Sequence, residues 1–152
     1  MPDQARQRSQ QTASLYEEDH LAWIEAQAAH LRAGRTEALD VANLAEELDD
    51  MAASQRRELE SRLQVLLMDL LKTRFQPKRR TRSWATTIVT QRLEIERLLR
   101  YSPSLRQELA TSMAGAYRGA VKAAVAETGL PRSTFPNKLP FTADEVLGAD
   151  DE

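Results

Sequence analysis

Between Leu63 and Leu71 the residues Leu63, Val65, Leu66, Leu67, Met68, Leu70 and Leu71 are all large and apolar, and no other stretch restricts the fold as tightly. Around it, Val41, Leu44, Leu48 and Met51, then Leu59, Leu63, Leu66 and Leu70, follow three- and four-residue steps, which is the period of an α-helix. A helix that is apolar around most of its circumference must be surrounded by other elements, so this segment is expected at the centre of the core. Asp40 is a good N-cap for it and Pro77 ends it. One straight helix over residues 41–75 would be about 50 Å long, whereas a compact chain of this size has a radius of gyration of about 15 Å. The helix is therefore expected either to break within Ala52-Ala53-Ser54-Gln55, which holds no large apolar residue, or to pack against another subunit.

The rest of the chain reads as helices as well. Residues 1–13 are polar and aperiodic and are expected to form a disordered tail. A first helix is expected from Ser14 to Ala33, stopped by Gly34, with Tyr16, Trp23, Ile24, Gln27 and Leu31 buried. Another should run from Ser83 to Arg100 with Trp84, Ile88, Gln91, Ile95, Leu98 and Leu99 on one side. Ser102-Pro103 is a cap followed by a first-turn proline, so the next helix should open there and end at Thr128 before Gly129. It carries Leu105, Leu109, Met113, Tyr117, Val121 and Val125 beside an alanine-rich face, where Gly115 and Gly119 allow close packing. Pro131, Pro136 and Pro140 mark an extended strap, after which Thr142-Ala-Asp-Glu145 spells a capping box with Phe141 and Val146 as its hydrophobic staple.

No strand alternation or internal repeat is visible. The expected fold is all-α: an antiparallel bundle of about four main helices with a proline-rich strap and a short C-terminal helix. A chain of 152 residues is long enough to bury a core, and a single domain over residues 14–148 is expected, followed by an acidic tail at 149–152.

Composition excludes more than it identifies. There is no cysteine, hence no disulfide, thiolate metal site or cysteine nucleophile. No apolar run is long enough for a membrane span and the opening residues lack the apolar core of a signal peptide, so a cytoplasmic location and no membrane partner are expected. The net charge of −2 predicts no whole-molecule attraction to nucleic acid. Phosphate-loop, dinucleotide and nucleophile-elbow motifs are absent.

Several segments, in order, carry a resemblance: Leu39-Asp40-Val-Ala-Asn43-Leu-Ala-Glu46-Glu47-Leu, Leu66-Leu-Met-Asp-Leu-Leu-Lys72, Gln76-Pro77, Ser83-Trp84, Ser102-Pro103-Ser104-Leu105, Glu127-Thr-Gly-Leu130 and Phe135-Pro136. Together they resemble the bacterial family called domain of unknown function 29, over about Tyr16 to Leu147. The resemblance implies an all-helical fold and a bacterial origin and brings no activity with it. Members that resemble this chain often show His where it has Asp69, and Cys where it has Leu139, so histidine or thiol chemistry at those positions is not expected here.

Three clusters carry candidate chemistry. Lys72, Arg74, Lys78, Arg79, Arg80 and Arg82 are six cations in eleven residues without an acid, flanked by Phe75 and Trp84. Guanidinium forks beside an aromatic ring suit a phosphate backbone or an exposed base. The plainer account, a helix C-terminus offsetting its dipole and a solvated loop after it, is the preferred one. The acids Glu37, Asp40, Glu46, Glu47, Asp49, Asp50, Glu58 and Glu60 face only Arg56 and Arg57, and a solvated helix face explains them. Glu17-Glu18-Asp19-His20 holds one Glu-x-x-His, the spacing that di-iron bundles use twice. The second copy is missing, and a single metal on His20 with carboxylates of the 41–75 helix is the remaining enzyme reading. With no catalytic constellation and no cofactor motif, the expected function is a non-catalytic helical interaction module that associates with itself. Nucleic-acid or phosphate binding through Lys72 to Arg82 and Trp84 is the alternative, and a metal-dependent enzyme the second.

Overall fold

The computed structural model describes residues 2–149. Helix formation begins at once: α1 spans Pro2–Glu18, so the expected disordered tail over residues 1–13 is helical from Pro2 onward. The expected helix from Ser14 to Ala33 is two helices, because Asp19 leaves helical geometry (φ −147°, ψ 90°) and accepts a hydrogen bond from the Ala22 backbone, capping α2 over His20–Arg32. The expected acidic tail lies mostly outside the described residues, which stop at Ala149.

Helix α3 runs unbroken over Val41–Phe75. The chain divides into two compact units, Met1–Ala53 and Ser54–Glu152. Their boundary falls inside α3, at the alanine-serine stretch where a break was one of the two expected alternatives. The α3 backbone continues through it as helix.

In the first unit Trp23 and Gln27 of α2 are buried, and both reach Asp40. The Trp23 indole donates to Asp40 Oδ2 at 3.0 Å, while the Asp40 backbone N–H donates to Gln27 Oε1 at 2.8 Å. Asp40 Oδ1 also accepts from the Asn43 backbone at 3.4 Å, which is the expected N-cap. One buried carboxylate thus closes the α2–α3 connection and starts α3.

In the second unit the remainder of α3 is surrounded, as its apolar circumference demands. Leu59, Leu63, Leu66, Leu67 and Leu71 are fully buried, with Leu70 and Met68 half-buried at the rim. They meet Ile88, Ile95, Leu98 and Leu99 of α4 (Arg82–Tyr101) and Leu109, Met113, Tyr117 and Val121 of α5 (Leu109–Thr128). Pro103–Glu108, expected as the first turns of α5, is a 3₁₀ segment. Gly129 ends α5 with φ 69°, a left-handed conformation that glycine adopts without a Cβ clash. Gly115 and Gly119 lie against the side chains of Glu60 and Gln64 of α3, so their small size serves packing within this unit. Phe135 of the strap is buried against Phe75, and α6 (Ala143–Leu147) has the expected capping box and buried staple pair, Phe141 and Val146. Arg92 of α4 donates to the carbonyls of Glu145 and Val146, holding the end of α6 in place.

Candidate interaction surfaces

The structure separates the seven residues that the sequence groups into one basic site. Lys72 is only 2% exposed. Its ammonium lies 2.5 Å from Asp69 Oδ1 and 2.5 Å from Glu127 Oε2, and 4.7 Å from the Trp84 ring centroid. Burial works to lower its pKa, but the hydrogen bonds to Asp69 and Glu127 outweigh that and hold it above its ordinary value. Lys72 is thus a charged internal tie, and the Trp84 face it covers is closed to a stacking base. Arg74 is also engaged: it donates to the Pro140 carbonyl at 3.0 Å, pairs with Glu145 at 3.4 Å and lies over the Phe141 ring.

Lys78, Arg79, Arg80 and Arg82 behave differently. All four are exposed. The 3₁₀ turn Pro77–Arg79 and the N-cap Thr81, whose hydroxyl accepts from the Trp84 backbone, give their backbone a defined path. Among the described residues none of their four side chains forms an ion pair or hydrogen bond; the Thr86 hydroxyl donates to the Arg82 backbone carbonyl at 2.9 Å. A cleft of about 280 Å³ lined by Phe75, Gln76, Pro77, Lys78 and Arg79 opens beside them.

A larger groove of about 600 Å³ follows Glu58 and Arg62 of α3 and Glu94, Arg97, Leu98, Arg100 and Tyr101 of α4. Its charges are largely matched within it or at its rim, since Arg62 pairs with Glu58 and Glu94, and Arg100 with Glu96.

His20, the candidate metal ligand, stacks on Trp23 with ring centroids 5.6 Å apart. Its Nε2 is 3.7 Å from Glu47 Oε1, the same oxygen that accepts the Tyr16 hydroxyl at 2.8 Å. That hydrogen bond, followed by burial and the Glu47 charge, pushes the Tyr16 pKa up to about 12. The structure therefore brings His20 to one α3 carboxylate, and no group of three metal-binding side chains forms among the described residues.

The surface that sequence patterning missed is apolar. Ile24 and Leu31, expected in the core, are 46% and 55% exposed, and Leu21 is 66% exposed. With Ala28 they form a 21-24-28-31 stripe along α2. On the first turns of α3, Val41, Leu48 and Met51 are 67%, 63% and 62% exposed, and with Leu44 they repeat the same three-four-three spacing. A stripe this narrow is the pattern of a helix–helix seam. The signal that distinguishes it from core was the flanking charge: Glu46, Asp49 and Asp50 crowd the α3 stripe, whereas Leu63–Met68 contains no charged residue.

Among the described residues the protein is all-α, with no helix long and apolar enough to cross a membrane. Fold and surfaces define a two-unit helical protein. The chain belongs to the family described as domain of unknown function DUF29, whose model matches residues 15–150. No curated protein and no solved structure matches it.

Proposed function

We propose that this protein is a non-catalytic helical interaction module of the bacterial cytoplasm that associates with itself through the apolar stripes of its first unit. The observation that carries this reading is the exposure of Leu21, Ile24, Leu31, Val41, Leu48 and Met51 at coiled-coil spacing. Residue exposures of 46–67%, set against the ~1.5–3 kcal/mol for burying one such side chain completely, give about 5–11 kcal/mol per protomer if all six are covered. A two-fold pair doubles that, which is enough to meet the ~4–15 kcal/mol that association costs. The unbroken α3 adds support, because of the two ways to accommodate so long a helix, a break and a subunit contact, the break does not occur.

Sedimentation velocity at tens of micromolar tests the reading, comparing the native chain with a Leu48→Glu, Met51→Glu variant. The native chain should sediment as an oligomer and the variant as a folded monomer. A native chain that stays monomeric across that range overturns it.

A further inference from the structure

The basic loop after α3 belongs to the second unit and is independent of self-association. From Leu70 to Leu93 the sequence holds seven cations, Lys72, Arg74, Lys78, Arg79, Arg80, Arg82 and Arg92, and no acid. The structure divides them by use. Lys72 is tied to Asp69 and Glu127, Arg74 to Glu145 and Pro140, and Arg92 to the end of α6. The four that remain, Lys78, Arg79, Arg80 and Arg82, are exposed and unengaged among the described residues. Even fully extended, five consecutive residues span only about 14 Å, so the backbone positions of the four cations fall within the length of a few adjacent phosphates. No acid stands in the first turn of α4 to offset them.

We propose that Lys78, Arg79, Arg80 and Arg82 form a docking surface for the phosphate backbone of double-stranded nucleic acid, recognised without regard to sequence. Single strands are disfavoured because the rings beside the loop are already engaged: Trp84 carries the Lys72 ammonium over its ring and Phe75 packs edge-on to Phe135. A lipid surface is disfavoured because the loop, Lys78 to Arg82, carries no apolar side chain to enter a bilayer. Four phosphate contacts imply a log–log salt slope near −3.6 for duplex and an affinity in the ~10⁻⁴–10⁻⁶ M range at physiological salt.

Fluorescence anisotropy of a labelled duplex against the full chain tests this over a salt series. The comparison variants are Arg79→Ala, Arg80→Ala, Arg82→Ala and a charge-matched control, Arg97→Ala, Arg106→Ala, Arg118→Ala, each checked for native circular dichroism. The loop variant should lose about three units of slope and at least tenfold in affinity at ~0.15 M salt, while the control stays near the native chain. Equal losses in both variants, tighter binding to the matching single strand, or binding confined to phosphatidylserine vesicles would each overturn the proposal.

Discussion

Replacing Lys72 by Met tests whether the second unit depends on its internal charge tie. Methionine keeps most of the side chain's volume and its contact with the Trp84 ring but removes the ammonium. Asp69, itself 2% exposed, would then be a buried carboxylate without its counter-ion. Removing one member of a buried pair costs about 3–5 kcal/mol, because the charge left behind is not rehydrated. For a chain of this size that corresponds to a Tm lower by about 6–20 °C. Glu127 occupies the other side of Lys72 but its side chain is 51% exposed, so Glu127→Gln should cost no more than about 1 kcal/mol. Urea denaturation followed by far-ultraviolet circular dichroism, with Trp84 fluorescence as a local probe, measures each variant. In the cycle, Lys72→Met combined with Asp69→Asn should be more stable than Lys72→Met alone, since the neutral amide no longer needs a cation. If the single Lys72 change is neutral, or the second change deepens the loss, then Asp69 and Lys72 are not coupled as their geometry requires.

Other outcomes follow from the same structure. Leu66→Ala, at a fully buried site of α3, should destabilise the second unit by about 2–5 kcal/mol in urea titration. Asp40→Ala removes the acceptor of the Trp23 indole together with the α3 cap; a loss of about 1–3 kcal/mol and a red shift of Trp23 emission are expected. The hydrogen bond donated by the Thr142 backbone N–H is the largest cause holding the Glu145 pKa below its ordinary value; burial opposes it, and the Thr142 side chain and the nearby Arg74 charge add to the lowering. Its contribution to α6 is therefore complete above the unfolded carboxylate pKa of about 4.3 and is lost as pH falls through the depressed folded value. Amide protection factors at Val146 and Gly148, taken against the intrinsic exchange rate at each pH, should fall in that acid window, and a Thr142→Ala chain should show less of this pH dependence. Unchanged protection in the native chain would sever the link between the capping box and the order of α6.

Much of the fold was legible in the sequence because it is written locally. Helix periodicity put Leu63, Leu66 and Leu67 at the centre, the Thr142–Glu145 box and Gly129 marked helix ends, and the alanine face of α5 announced close packing; each signal acts within one or two turns of backbone. The candidate site was legible only as a group of charges. Lys72 and Arg82 look alike in sequence, and what separates them is burial: Lys72 is enclosed with Asp69 one turn before it and with Glu127, 55 positions away on α5, while Arg82 stays exposed. Nor does a three-four apolar step say whether a second element of the same chain will cover it, which is why Ile24 and Leu31 read as core and stand exposed. The helices, most of their caps and the central leucine segment follow from residues close along the chain, because hydrogen bonding and side-chain period are set by neighbours. The tertiary structure alone decided which cations are tied internally, which apolar stripes face solvent, and that one continuous helix serves two units, because burial and charge pairing depend on residues that only folding brings together.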